Sequence, residues 1–448
     1  MAAPLGVRAW RDQPLPGPQS AARWSLVAMA FSLPISGLAT DALSAVLVLL
    51  WLAAGGWSER WRQLRHDRLV AVSMALLLLI AAGISWSAAP PELAARGLAR
   101  YTRLLIVPIA VSLLVAQPLW QRRVLLAFLA AMALTLVLVL AHLVHPFWLP
   151  AELGGHMVFK HYIIQSVFLS LFVLGALVIA RWHASGAVRW GWYAAALLGA
   201  IIVLGVEPSR TGFIALGLVA LVFLFQAPAP AHRLRWGVAL IALLAVTVAM
   251  SSGMRSRVQG TIDFLIDANG SGHAQVPDVQ PGPDPLEYQR QKAAASGGIR
   301  MMLWEQAAAM ARERPLLGWG TGSFRVEFCR RLDADWCRLL KTSSSQPHSQ
   351  FLFFAAELGV AGLALFVVLV AVPYATVRRW PPWARCPVAG TTAVFVVHSL
   401  FDSTLYLGVE GFTYPLLMSA LIAVRPAGAS GLAPGAPAPQ DQPSSSPA

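Results

Sequence analysis

About twelve apolar runs recur along the chain, from residues 24–38 and 42–56 at one end to 388–400 and 412–424 at the other. A soluble domain has one core to fill and no place for so many. A run of about 20 apolar residues, by contrast, crosses a bilayer as a helix with its backbone N–H and C=O groups bonded internally. With 57% hydrophobic and only 12% charged residues, the chain has too little polar surface to close a soluble globule of its length. The expected fold is therefore an all-α polytopic membrane protein with about 12 transmembrane helices. Several runs are short for a full span, and the first two, parted only by Ala39-Thr40-Asp41, also suit a re-entrant pair.

The formal net charge of +13 has a related origin. Arg60, Arg62, Arg65 and Arg68, Arg122 and Arg123, Arg181 and Arg189, Arg233 and Arg235, and Arg378, Arg379 and Arg385 fall in alternate connectors, the pattern of cytoplasmic loops. The basic excess thus serves orientation in membrane lipids and gives no reason to expect nucleic acid as a partner. Counting connectors places both termini in the cytoplasm. It divides the chain into a cytoplasmic tail (1–22), transmembrane helices 1–9 (23–250), a periplasmic loop domain (251–347), transmembrane helices 10–12 (348–425) and a disordered cytoplasmic tail (426–448). The first tail is Pro-rich and lacks the apolar core of a signal peptide, and the last is mostly Ala, Pro, Gly and Ser.

The long polar interval has its own punctuation. Residues 268–291, rich in Gly, Pro, Asp and Gln, read as a flexible loop. Ser296 is a suitable N-cap for a helix over 299–314 that stops before Pro315, and a second helix is expected over 324–340. Between them, the turn Gly318-Trp319-Gly320-Thr321-Gly322 has the spacing to offer backbone amides to phosphate, although glycines in this pattern are common. Cys329 and Cys337 lie on or beside the second helix. A disulfide between them requires a break in that helix; separate thiols are the other reading. Cys386, in an inner connector, is expected to stay reduced.

Cations collect where orientation does not call for them. Arg210 stands in Glu207-Pro208-Ser209-Arg210-Thr211-Gly212 at the mouth of an apolar run; it reads either as a snorkelling arginine or partner of Glu207, or as a guanidinium gripping phosphate. Arg300 precedes Trp304 by one helical turn. Arg100 and Arg103 flank Tyr101 at the outer end of another run, and Lys160 and His161 begin the next. An anionic lipid head group accounts for all of these together. His348 follows Pro347 where a long apolar run starts. Pro347 suits a first helical turn, and a helix N-terminus disfavours the imidazolium, leaving a neutral ring able to accept a proton. His142 and His145 have no carboxylate pair beside them, and neither a phosphate-binding loop, a dinucleotide fingerprint nor Gly-x-Ser-x-Gly is present, so no metal or other cofactor is expected.

Taken together, these residues resemble the bacterial O-antigen ligases, in a superfamily that also holds O-antigen polymerases and some protein O-oligosaccharyltransferases. The resemblance rests on Ser209-Arg210-Thr211-Gly212, Arg300-x-x-x-Trp304, residues 315–322, and His348-Ser349 followed after nine residues by Gly359-x-x-Gly362, and it covers residues 24–424. It implies a glycosyltransferase of the bacterial inner membrane, with its active site facing the periplasm. Such an enzyme moves a glycan from undecaprenyl diphosphate to a sugar hydroxyl of lipid A-core, without metal and with inversion at the anomeric carbon. By the same resemblance Arg210 and Arg300 handle the diphosphate and His348 is the general base. Asp402 matches a family acidic residue, with a helix-end cap as the plainer reading. An O-antigen polymerase or protein O-oligosaccharyltransferase is the nearest alternative. A lipid-linked glycan transporter is more remote, since the chain shows neither an internal repeat nor matched broken helices.

Overall fold

The computed structural model describes residues 17–145, 157–206, 209–226, 238, 285–332 and 346–423; from 285 to 297 only the backbone is described. Among these residues there are helices and no strand. In chain order they are α1 (Pro18–Ser32), α2 (Gly37–Ala53), α3 (Trp57–Leu64), α4 (Arg68–Ala82), α5 (Pro91–Tyr101), α6 (Ile106–Leu114), α7 (Pro118–Val144), α8 (Tyr162–Val178), α9 (Gly186–Ile201), α10 (Arg210–Gln226), α11 (Pro285–Glu313), α12 (Phe324–Arg331), α13 (Gln350–Val377), α14 (Pro382–Phe401) and α15 (Glu410–Ile422). Local chemistry sets several starts. Ser36 and Asp67 accept the amides of Ala39 and Val70 at 3.2 and 3.1 Å, and proline opens α1, α5, α7 and α14.

Six helical stretches among the described residues are long and apolar enough to cross a membrane, and the pair α2 and α3, bent by 115°, makes a seventh if counted as one span. The expected figure of about twelve is thus matched only in part. The helices α1, α4, α10 and α15 have 15, 15, 17 and 13 residues, and the apolar run 237–250 lies outside the described residues. The run at 104–116 is the latter half of a longer stretch. A 3₁₀ turn (Thr102–Leu105) joins α5 to α6, because Ala94, Gly97 and Tyr101 continue the buried face backwards between exposed Glu92, Arg96 and Arg100.

Two expectations for the polar interval are corrected. Helix α11 begins at Pro285, inside the stretch expected to be loop and well before the cap expected at Ser296; proline suits a first helical turn and the residues after it are good helix formers. Helix α12 stops at Arg331 rather than 340, with extended backbone at Leu332. Leu303, Ala307 and Met310 of α11 bury against Phe324 and Phe328 of α12 and Phe353 and Ala356 of α13, which holds both helices to the bundle. Cys329 is disulfide-bonded and α12 ends just after it, supplying the break that a bond to Cys337 had required; Cys337 itself lies outside the described residues. Cys386 is a buried free thiol.

The glycine-rich turn is a structural joint. Gly318 and Gly359 have φ of 64° and 62°, and a Cβ on either would overlap the backbone of Glu357 or Leu316 respectively, so two main chains cross in direct contact. Gly359 breaks the ladder of α13. Its freed amides are taken up at the crossing: Val360 N–H donates to Pro315 O at 2.7 Å, while Trp319 and Gly320 N–H donate to Ala356 and Glu357 O at 3.0 and 2.7 Å. Thr321 N–H donates to Gly83 O at 3.1 Å and Phe324 N–H to Glu357 Oε1 at 3.1 Å. The amides expected to face phosphate are therefore bonded within the protein, and Gly320 serves packing.

Long-range contacts sort the helix ends into two groups. At one end Arg23 Nε donates to Leu113 O at 3.1 Å, Arg60 Nη1 to Trp51 O at 2.7 Å and Arg385 Nε to Gln226 Oε1 at 2.9 Å, and His183 meets Trp383. At the other, the α1–α2 turn comes up beside Lys160 and Val409, α10 starts against Ser166 of α8, and α13 starts beside the end of α14. Among the described residues the basic connectors fall at the first end, as the sequence pattern requires; Arg233 and Arg235 lie outside the described residues.

Candidate active site

The second end is organised by the connector between α14 and α15. Gln350, the first residue of α13, grips it: its N–H donates to Asp402 O at 3.2 Å, its Oε1 accepts Leu405 N–H at 2.9 Å, and its Nε2 donates to the buried Tyr101 hydroxyl at 3.3 Å. Ser349 caps α13 by accepting Leu352 N–H at 3.5 Å. His348 therefore precedes the cap and Pro347 lies outside the helix, which corrects the expected first-turn placement. The backbone of His348 has φ of 50°, a left-handed conformation uncommon outside glycine, and such conformations persist where neighbouring contacts over-determine them.

From that position His348 Nδ1 lies 3.1 Å from Asp402 Oδ1. The side chains are 25% and 15% exposed, so the pair is sheltered but open to an incoming group. Burial pushes the Asp402 carboxyl up, but the hydrogen bond from His348, the charges of His348 and His398, and the Ser403 N–H at 3.0 Å together hold it below the usual aspartate range. An ionised carboxylate only accepts, so His348 donates from Nδ1, and in the neutral ring Nε2 is then the nitrogen left to accept. This is the arrangement of a general base with its orienting carboxylate.

The other predicted residues lie at the same end of the bundle. The Trp304 ring packs 6.3 Å from that of Phe401, the neighbour of Asp402, and its indole N–H is buried with no partner among the described residues. Arg300, one turn earlier on the same face of α11 and half-buried, is brought to the same side. Arg100 lies over the Tyr406 ring at 4.4 Å. Arg103 donates to Leu407 O and stands over Phe412 at 5.0 Å, so it clamps the 402–409 connector from below. Arg210 opens α10, where Ser209 Oγ accepts Gly212 N–H at 3.1 Å and the close approach of Gly212 to Ser166 sets the helix beside the start of α8, near Lys160 and His161. The His161 ring packs on Tyr162 at 4.1 Å.

Sequence reasoning passed over three members of this group. Gln350 sits directly after the His348-Ser349 pair, Tyr406 carries the Arg100 contact, and Glu410 is a buried acid at the start of α15. Burial drives the Glu410 carboxyl up to about 7, with Asp402 adding to the rise and Lys160 and Arg103 opposing it. Burial lowers Lys160 in turn, against Glu410 and Asp41. The available signal was Glu410 itself, an acid directly before the apolar run at 412–424. Among the described residues no group of three or more His, Cys, Asp or Glu is placed to hold a metal ion.

A histidine bonded to a carboxylate, at a bundle end that also carries arginines and a lysine, has the groups to accept a proton and to meet an anion. Residues 195–367 match the family model described as O-Antigen ligase. The chain carries an O-antigen ligase domain. No curated protein matches the chain at a significant level. The ligase domain takes in Arg210, Arg300, Trp304, Gly320 and His348, while Arg100, Arg103, Lys160, His161, Asp402 and Glu410 lie beyond it. The His348–Asp402 pair thus joins a residue inside the matched segment to one outside it.

Proposed function

We propose that this O-antigen ligase domain transfers a glycan from undecaprenyl diphosphate to a sugar hydroxyl of lipid A-core, at the periplasmic face of a bacterial inner membrane. The observation that carries the reading is the hydrogen bond from His348 Nδ1 to Asp402 Oδ1 at the cationic end of the bundle. His348 Nε2 takes the proton of the acceptor hydroxyl, whose oxygen attacks the anomeric carbon from the side opposite the diphosphate. The bond from that carbon to the diphosphate oxygen breaks, and the electron pair leaves with the diphosphate. Attack from the opposite side inverts the anomeric centre. Arg210 and Arg300 hold the departing charge by paired N–H donors, a task that guanidinium groups perform in fixed geometry. Lys160 and Arg100 add to the attraction at the rim, and the Trp304 N–H is a donor for a sugar or phosphate oxygen. A proton acceptor placed in this way contributes about 10²–10⁴ in rate.

Support for the direction of the site comes from charge. The basic connectors gather at the end opposite His348, and cytoplasmic loops are the ones enriched in arginine. The decisive experiment gives the purified chain a lipid-linked glycan with either lipid A-core or a pilin-like protein. Gain of glycan mass by lipid A-core alone is the expected result. Transfer to protein, or extension of the lipid-linked glycan itself, would assign the domain to another branch of the superfamily.

A further inference from the structure

The end of the bundle opposite His348 holds a second group of cations, built differently. Arg60 is only 6% exposed, yet among the described residues it has no carboxylate partner. Its Nη1 donates to Trp51 O at 2.7 Å, and the guanidinium lies 5.3 and 5.4 Å from the rings of Trp51 and Trp57, which pack edge to face. Its charged neighbour is another arginine, Arg23, which donates from Nε to Leu113 O at 3.1 Å and stands 5.9 Å from the Trp120 ring. Arg123 covers the same Trp120 ring at 4.5 Å. The nearby acids have other work: Glu59 pairs with Arg62 and Asp67 caps α4.

Burying a cation is costly unless it is paired, and two cations side by side add repulsion. Each guanidinium has five N–H donors, and the carbonyls take one from each here. Helix α3 turns away from α2 by 115° and so runs crosswise to the bundle, with Trp57 47% and Trp61 68% exposed. Exposed indoles interleaved with arginines on a crosswise helix suit the head-group layer of a bilayer, where Trp and Arg anchor together. We infer that Arg23 and Arg60, caged by Trp51, Trp57 and Trp120, bind the phosphate of an anionic phospholipid, with α3 lying in the head-group layer opposite the active site.

The test uses the purified, delipidated full chain in detergent, with phosphatidylglycerol, phosphatidylcholine or inorganic phosphate added, and lipid retention read by native mass spectrometry. No glycan substrate enters, so the result is independent of the transfer reaction. Phosphatidylglycerol should be retained in preference to phosphatidylcholine. Retention should weaken about tenfold in Arg23→Gln and in Arg60→Gln, the equivalent of one charge-assisted hydrogen bond, and stay unchanged in Arg62→Gln. Equal retention of the two lipids, full retention in Arg23→Gln, or displacement by inorganic phosphate as effective as by lipid would overturn the proposal. Should Arg60→Gln fail to fold, Arg23→Gln and the two-lipid comparison on the unaltered chain still decide it.

Discussion

His348 and Asp402 stand 54 residues apart in the chain and 3.1 Å apart across the fold. One lies just before the cap of α13 and the other just after the end of α14, so two antiparallel helices bring their outer ends together and the dyad forms between them. Gln350 keeps the geometry by bonding both Asp402 and Leu405, which ties the histidine's own segment to the carboxylate's. The ring is aimed by the Asp402 carboxylate, which Gln350 and the Ser403 N–H hold in turn.

Replacing Asp402 by Asn keeps the shape and removes the charge. Transfer should fall by up to about 10⁴-fold with donor binding unchanged, as when the carboxylate behind a catalytic histidine becomes an amide and the ring takes the wrong tautomer. The sign of the stability effect follows from the depressed carboxyl: its contribution is present above the ordinary aspartate range and is lost as pH falls through the lowered folded value. The melting-temperature gap between the unaltered protein and Asp402→Asn should therefore persist from neutral pH down to about pH 5 and close only in stronger acid.

Glu410 gives the opposite slope. Its folded carboxyl, raised to about 7, contributes stability that is complete below the ordinary glutamate value and is lost as pH rises through about 7. Melting temperature should drop between mildly acid and mildly alkaline buffer, and Glu410→Gln should remove that part of the drop. An unchanged slope in the variant would show that other groups produce it.

The crossing of main chains at Gly359 admits no side chain. Gly359→Ala places a Cβ on the Leu316 backbone and forces alanine into a left-handed conformation, so a loss of more than about 2 kcal/mol is expected. Gly191→Ala is the contrast: its Cβ would meet open space on α9, and alanine favours helix, so stability should hold or rise. Fluorescence-detected thermal melts of the two variants measure the difference.

Trp304→Phe keeps a ring against Phe401 and deletes the unpartnered N–H. Because a buried donor without an acceptor is a cost to the fold, melting temperature should stay level or rise. KM for the lipid-linked donor should nevertheless increase about tenfold, the worth of one hydrogen bond to a charged group. A parallel loss of stability would make the tryptophan a packing residue instead.

The resemblance pointed to the ligase family, and the match over residues 195–367 bears that out; His348, Arg210, Arg300, Trp304 and Gly320 all fall inside it. Their environments were harder to foresee. Gly320 had the spacing of a phosphate-binding turn, and its amide donates instead to Glu357 O. Arg103 reads as a ligand cation in the sequence, and in the fold it also holds the Leu407 carbonyl. In both cases residue type was informative while the bonded partner came from an element distant in sequence.

Hydropathy and charge belong to residues singly and in short runs, so the amino-acid order alone pointed to an all-helical membrane protein with basic connectors alternating along it. Pairing is a property of packed helices. Whether His348 meets a carboxylate, whether Arg60 meets indole rings and a carbonyl, and whether a glycine faces ligand or backbone depend on which helix ends lie side by side, and only the tertiary structure decided that. The physical reason is range: apolar periodicity acts over a turn or two of helix, whereas a hydrogen bond across 54 residues exists only after the helices between have taken their places.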